Sequence, residues 1–447
     1  MSVSLFHLFS PVAKLPNRSL LAIALSPFLL MGCIDEFEAD IPSEDSDMLV
    51  VEGTICSGKQ NTFILSRTLP VHPKEEDYYK DIAYYAYSSY ISPYVTTTHQ
   101  MVMGAIVSVR GSDGSEYKAD EFYEQAIGYS TDYTNGNTIG YTPGYYTCWI
   151  DALNPDVEYY LHIECDGDVY ESVPQKPLRT EKIEAVSRVQ NTPESNIDVL
   201  VTPAAPLEPD RANYYSWTYE ETWEVRPDYT TDLFFDVKTR TCVFKPYQFP
   251  ECGWKDATSS TIMVGGSASY EGQHIRQLKL YDLDRSDERV YHRYSGLIHQ
   301  RAISKAEYEY ELARRQASSE MGGLFTPQPS SLPTNIHCLT SRKHVIGFVG
   351  CSLNTSEYRF FIVPKDFSIN RIYHRDTRIW LEDCNEDDCC QMVHDGLFLC
   401  IWEDDREMPD GVLTTAWAYE YQLDVRKGKG AYIIEPEFWS LTEDVSY

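Results

Sequence analysis

Basic residues are scarce in this chain of 447 residues, in which 38 Lys and Arg stand against 68 Asp and Glu for a formal net charge of −30. A surface this acidic repels phosphates, so the composition argues against a nucleic acid as partner. The charge does not identify another partner, because an acidic solvated surface also keeps a protein soluble.

The sequence also lacks the short motifs of common catalytic sites. It contains no Gly-x-Ser-x-Gly elbow, no His-Glu-x-x-His helix and no phosphate-cradling glycine loop. Its 11 His residues show no paired spacing of a ligand set, whereas 68 acidic residues make chance carboxylate pairs certain. The sequence therefore identifies no catalytic residue, no metal ligand and no cofactor, and it leaves an acid–base carboxylate pair open.

Tyrosine, by contrast, is abundant at 34 copies. Strands favour aromatic residues, and the chain shows repeated runs of strand-forming residues separated by turn signals such as Asp113-Gly114 and Asp166-Gly167. The segment Tyr214–Val225 alternates with period two. We predict a mainly β protein, with an N-terminal immunoglobulin- or transthyretin-like antiparallel sandwich and a larger β-rich second domain.

One prominent helix is predicted over about residues 304–320. Ser304 is a suitable N-cap and Glu307 stands at the capping-box position. An apolar face is expected from Ala306, Tyr310, Ala313 and Ala317, with Glu311 and Arg315 paired on the opposite face. A lone helix of this length is marginal in water, so we expect it to dock on the sheets of the second domain.

The first 32 residues indicate an export signal. Lys14 and Arg18 precede an apolar run that is too short for a good membrane span. The run ends in Leu-Met-Gly-Cys, which resembles a lipobox and predicts lipidation of Cys33. The acidic residues that follow Cys33 resemble the tag that sends Bacteroidetes lipoproteins to the outer face of the outer membrane.

We divide the chain into four parts: a lipoprotein signal peptide (1–32), an acidic flexible tether (33–48), an N-terminal β-sandwich with Tyr-rich loops (49–178), and a β-rich domain with one helix and a Cys-rich segment (182–447). Two loops of the sandwich combine Tyr with Ser, Gly, Asn and Thr, a composition typical of adaptable recognition surfaces. The candidate ligand-binding residues are Tyr84, Tyr85, Tyr87, Tyr90, Tyr133 and Tyr141. The alternative is that these loops simply fold over their own sandwich.

Lipidation of Cys33 leaves eleven cysteines, and export exposes them to an oxidising compartment. Cys242 and Cys252 flank an aromatic loop, and Cys384, Cys389 and Cys390 form one tight acidic cluster. We favour disulfides that pin a surface loop, because structural zinc sites usually carry two Cys pairs. A metal site in the cluster is the alternative.

Several segments together resemble one Bacteroidetes family of outer-membrane lipoproteins, catalogued as domain of unknown function 4249. The resemblance rests on their order along the chain: Leu49–Gly53, Asn213–Trp217, Cys252–Trp254, Phe325–Pro329, Val345–Phe348 and Pro436–Trp439. It implies an outer-membrane lipoprotein that is commonly encoded beside a TonB-dependent transporter, and it implies no catalytic residue.

We therefore expect a lipid-anchored protein of the outer membrane that faces the cell exterior. Its expected function is that of an accessory binding or docking partner of a TonB-dependent nutrient transporter, with a glycan or peptide as ligand. A cell-surface hydrolase and a structural envelope lipoprotein are the alternatives.

Overall fold

A computed structural model describes residues 48–68, 99–128, 138–206, 213–259, 261–319, 332–372, 375–408 and 411–446. The predicted mainly β fold with one prominent helix is confirmed. All the described residues belong to one unit, Glu44–Tyr447. The division into a sandwich (49–178) and a second domain (182–447) stays a prediction.

The strands of the described residues are β1 (Leu49–Cys56), β2 (Lys59–Thr68), β3 (His99–Met101), β4 (Ile106–Gly111), β5 (Glu116–Gly128), β6 (Thr138–Ile150), β7 (Tyr159–Cys165), β8 (Asp168–Ser172), β9 (Ile183–Val189), β10 (Ile197–Pro203), β11 (Tyr214–Val225), β12 (Leu233–Asp236), β13 (Thr241–Phe244), β14 (Gly253–Thr258), β15 (Met263–Gly266), β16 (Leu278–Leu283), β17 (Tyr294–Ile303), β18 (Ile336–Cys338), β19 (Val345–Ser352), β20 (Ser356–Ile362), β21 (Ile379–Leu381), β22 (Leu397–Asp404), β23 (Leu413–Tyr419) and β24 (Val445–Ser446). The α-helices are α1 (Lys305–Ser319), α2 (Glu386–His394), α3 (Glu420–Leu423) and α4 (Val425–Gly428). Short 3-10 helices cover Ser267–Ser269, Glu271–Gln273, Glu288–Val290, Pro364–Asp366 and Glu437–Ser440.

The largest sheet has the strand order β18-β8-β7-β4-β5-β6-β2-β1-β19, with β3 beside β2. Its two edge strands approach each other, because Asn335, next to β18, exchanges two hydrogen bonds with the backbone of Val349 in β19 at 2.9 and 3.0 Å. The sheet is therefore a nearly closed, barrel-like layer around its own core. Leu49, Phe63, Tyr146 and Tyr170 are among the side chains buried inside.

Strand β1 pairs in parallel with β19, so Leu49 lies opposite Val345 and Val51 lies opposite Gly347. Gly347 has φ +132°, and a Cβ atom there would come within 2.0 Å of the Val51 carbonyl oxygen. Only glycine allows this close approach without moving the backbone.

A three-stranded sheet (β16-β10-β9) and a six-stranded sheet (β14-β11-β17-β20-β24, with β15 beside β11) share the second core. Trp217 of β11 is fully buried there, and its indole N–H donates to the Gln300 side chain at 2.8 Å. Most buried indoles have such a partner. The largest sheet is joined to this region because the Ser352 hydroxyl donates to the Ala302 carbonyl at 3.1 Å.

A third, smaller core lies under the sheet β21-β23-β22, the hairpin β12-β13 and helix α2. Trp417 and Phe235 are its largest buried side chains. Helix α2 begins with a complete capping box, in which Asn385 and Asp388 exchange side-chain and backbone hydrogen bonds. The expectation of a surface loop in this Cys-rich segment was wrong. Asn385 and Asp388 stand at the capping-box spacing and could have revealed the helix.

Helix α1 lies where the sequence predicts it, and the Ser304 hydroxyl accepts the Glu307 backbone N–H at 3.1 Å. Tyr310 is buried and its ring lies 5.7 Å from that of Phe348. The predicted face was right for Tyr310 but wrong for Ala306, which is exposed, whereas Glu307 and Glu311 are buried.

The buried carboxylates of α1 have cationic partners that the sequence did not reveal. Glu307, with a side chain 6% exposed, pairs with Arg301 of β17, whose side chain is 15% exposed. Glu311 pairs with Arg314 of the same helix at 2.9 Å. Gly350 makes room for the first pair, since a Cβ atom there would lie 2.6 Å from both charged groups.

Glu307→Ala should lower the free energy of unfolding by about 3–5 kcal/mol, because it leaves the buried Arg301 charge without its partner. Glu309→Ala is the matched control on the same helix. Glu309 forms an exposed pair with Lys305 at 3.4 Å, so its loss should cost less than about 0.5 kcal/mol. Urea unfolding of the purified protein measures both values. Equal losses for the two variants would contradict the assignment of the buried face.

A second polar feature of the sheets is His299, which lies between two carboxylates. Its ring nitrogens are each 3.1 Å from a carboxylate oxygen, one from Glu357 and one from Glu220. Burial lowers the pKa of His299, but the hydrogen bonds and charges of Glu357 and Glu220 outweigh it and leave the pKa above its usual value. The protonated imidazole donates to both carboxylates at once.

This arrangement predicts a stability that depends on pH. Because the pKa of His299 is raised in the folded state, its contribution is fully present below about pH 6.5 and is lost as the pH rises through the folded-state value. The melting temperature of His299→Gln should therefore fall further below that of wild type at about pH 6 than at about pH 9. His344→Gln, at an exposed position, should show no such trend. A difference between wild type and His299→Gln that is the same at both pH values would refute the interpretation.

Candidate functional site

A cleft of about 590 Å³ lies beside the end of β11. Four separate parts of the chain form it: residues 225–229, residues 288–292, the pair Arg375 and Thr377 with Ile372, and residues 421–429. We call it the tyrosine cleft, because Tyr229, Tyr291 and Tyr421 line it. A second cleft of about 460 Å³ shares Arg226 with it and reaches Tyr247 and Phe249.

A polar network fixes three of these parts to one another. Gln422 is only 3% exposed. Its side-chain amide donates to the Thr377 hydroxyl at 2.7 Å, and its backbone carbonyl accepts the Tyr229 backbone N–H at 3.1 Å. The Tyr229 hydroxyl in turn accepts the Thr377 backbone N–H at 2.8 Å. The walls of the cleft are thus positioned by hydrogen bonds centred on the buried Gln422, which favours a preformed site.

One face of Tyr229 is covered by a cation. The Arg378 guanidinium lies 4.8 Å from the centre of the Tyr229 ring and 5.1 Å from that of Trp380. Asp376 holds Arg378 at 2.8 Å, and the hydrogen bonds from Arg378 keep the pKa of Asp376 well below its usual range. This ion pair and the two rings stabilise the outer wall of the cleft.

An exposed aromatic pair includes Tyr421, which lines the cleft. Tyr421 is 56% exposed, and its ring stacks on that of Tyr419, with the centres 5.7 Å apart and the planes 11° from parallel. Tyr419 is itself 41% exposed. Such a pair offers flat apolar surface and two hydroxyl groups to a ligand.

The lining of the cleft contains both carboxylates and cations, and most of them form ion pairs. Lys429 lies 3.2 Å from Asp228 and 3.8 Å from Glu288, so both carboxylates of the lining have a cationic partner. Arg226 pairs with Glu224 at 2.8 Å. Arg375 is exposed and has no ion pair among the described residues.

His292 lines the cleft and lies near several charged side chains. Burial lowers the pKa of His292, and the nearby Arg226 and Arg371 lower it further against the opposing effect of Glu224. The three cations of the lining, Arg226, Arg375 and Lys429, therefore stand against its two carboxylates and Glu224, although the whole chain carries a formal charge of −30. The cleft is less acidic than the chain as a whole.

The tyrosines singled out from the sequence are not those of the cleft. Tyr84, Tyr85, Tyr87, Tyr90 and Tyr133 lie outside the described residues, as does Cys33. Tyr141 lies in β6, where its backbone pairs with Gln125 of β5. The ligand-binding role of these six tyrosines stays a prediction. The tyrosines of the cleft carried no local signal, because each comes from a different segment.

The eleven cysteines of the described residues are free thiols in this structure. Cys384 directly precedes the N-cap of α2 and Cys389 lies in its first turn, so the two side chains meet in the third core. Burial raises the pKa of the Cys389 thiol to about 12. Cys390 and Cys242 pack against the same core, whereas Cys252 lies just before β14. A disulfide among these five cysteines stays a prediction.

Within the ranges that the structure describes, no group of three or more His, Cys, Asp or Glu side chains is arranged to hold a metal ion. No helix in those ranges has the length and apolar character needed to cross a bilayer.

Fold and cleft together define a mainly β protein with an open, tyrosine-lined surface site. The chain belongs to the family described as Domain of unknown function (DUF4249), whose model matches residues 34–358. Searches of the curated proteins and of the solved structures each found no match.

Proposed function

We propose that this protein is a lipid-anchored outer-membrane protein, exposed at the cell surface, that binds a nutrient molecule in the tyrosine cleft and acts as an accessory partner of a TonB-dependent transporter. The observation that carries the binding role is the cleft itself, with its preformed walls and its exposed Tyr419–Tyr421 pair. The lipobox-like sequence at Cys33 and the acidic residues after it support the location.

The chemistry of the cleft favours binding over hydrolysis. Its two carboxylates, Asp228 and Glu288, both pair with Lys429, which uses them to hold the walls together. Tyrosine hydroxyls and ring faces provide adaptable contacts with few torsions to restrict. Tethering the protein beside a transporter raises the effective concentration of captured ligand at the pore.

Cys33→Ala should release the protein from the membrane fraction, because a lipid anchor is held by many buried methylenes at about 0.8 kcal/mol each. Ser46→Ala, in the same tether, is the control and should fractionate as wild type does.

In intact cells, added proteinase should digest the wild-type protein. Replacement of Asp35, Glu36 and Glu38 by Ala should protect it. A Cys33→Ala protein that stays in the membrane fraction at unchanged size would contradict the anchor, and a wild type that resists proteinase would contradict the surface location.

The partnership is tested by affinity purification of the full-length protein from native membranes. A TonB-dependent transporter should co-purify, and Tyr421→Ala should retain the transporter while losing bound ligand, because Tyr421 lines the cleft. Purification without any transporter would argue against the accessory role. Equal ligand content in wild type and Tyr421→Ala would place the binding site elsewhere.

A further inference from the structure

We infer that the tyrosine cleft takes an acidic oligosaccharide, in which stacked tyrosine rings contact the sugar rings and Arg375 binds a carboxylate. This inference rests on the proposed function of the cleft as a binding site. It adds the chemical class of the ligand and the side chain that recognises its charge.

The first step of the argument is the distribution of charge. Lys429 and Arg226 already have carboxylate partners, Asp228 and Glu288 for the first and Glu224 for the second. Arg375 is the exposed cation of the lining that has no ion pair among the described residues. A guanidinium presents its N–H donors in a planar fork that fits both oxygens of a carboxylate.

The second step is the balance of charge around the cleft. The three cations of the lining, Arg226, Arg375 and Lys429, stand against its two carboxylates and Glu224, so this part of the surface is about neutral in a chain of formal charge −30. Arg371 is a further cation near His292, whose pKa it lowers. A carboxylate therefore meets less repulsion here than on most of this acidic chain.

The third step is the shape of the aromatic surface. The Tyr419 and Tyr421 rings are nearly parallel and both are exposed. A sugar ring has an apolar C–H face and polar edges, so it can pack on such a ring face while its hydroxyl groups reach tyrosine hydroxyls and water. The volume of about 590 Å³ lies within the usual range of ligand sites.

An acidic peptide would satisfy Arg375 as well, but an extended backbone has no flat apolar face to match the parallel rings. The structure therefore favours the sugar. The peptide enters the test as a competing outcome.

The experiment is isothermal titration calorimetry on the full-length protein in detergent. The probes are a trimer of galacturonic acid, the neutral galactose trimer and triglutamate. We expect the uronate to bind about tenfold or more tightly than either other probe, and its affinity to fall as salt is added. Arg375→Gln and Tyr421→Ala should each weaken uronate binding by about tenfold. Arg342→Gln, an exposed arginine outside the cleft, is the matched control and should bind as wild type does.

Melting curves of the same variants should superimpose on wild type, because both positions are exposed. Equal affinity for the neutral trimer, or full binding by Arg375→Gln, would overturn the role of charge while leaving a binding cleft in place. Equal affinity for triglutamate would overturn the assignment of the ligand as a sugar. Absence of uronate binding would overturn this inference alone, because the accessory role is decided separately by the transporter that co-purifies from native membranes.

Discussion

The parallel pairing of β1 with β19 is the constraint on which the rest of the structure depends. It joins β1, at the start of the described chain, to a strand that follows α1 in the sequence. Pairing over such a sequence separation carries a loop-closure cost and is slow to form. The ladder offsets that cost by burying Leu49, Val51 and Val349 in one core. Gly347 is indispensable to it, because any side chain there would meet the Val51 carbonyl.

A chain of contacts connects the β1–β19 ladder to the rest of the structure. Ser352, the last residue of β19, donates to Ala302 in β17, and Leu178 bridges in parallel to Ser352. The strand β17 in turn provides Arg301 for Glu307 of α1. The cleft lies at the far end of the same β11–β17 pair, where loops from distant parts of the chain converge. Its rigidity therefore derives from the sheets beneath it, as is usual for loop-built sites.

Local patterns in the sequence were sufficient for much of the fold. The alternation in Tyr214–Val225 predicted β11 with its observed bounds, and Asp166-Gly167 forms the expected hairpin turn with φ values of 52° and 82°. The capping signal at Ser304 likewise predicted α1. In each case the signal lies within a few residues, where propensity and turn chemistry act directly.

Features that depend on distant partners could not be predicted in this way. Glu307 has the composition of an exposed helix residue, and only Arg301 from the neighbouring strand explains its burial. The cleft is still harder to predict from the sequence, because Tyr229, Tyr291 and Tyr421 come from separate segments and none of them stands in a distinctive local motif. The charged groups that act on His292 likewise come from two distant parts of the chain, Glu224 and Arg226 from one and Arg371 from the other. Such a site exists only in the tertiary structure.

The position of β1 also has a mechanical consequence. Its eight residues directly follow the predicted tether and lie between β2 on one side and β19 on the other. Tension applied through an anchor at Cys33 would run along this strand and load the backbone hydrogen bonds of both ladders together. When a strand is pulled along its own axis, all its backbone hydrogen bonds carry the force together. They then resist it better than hydrogen bonds that break one after another. Drag on a large bound ligand, or movement of a partner, would then stretch the tether before it unfolded the sheet.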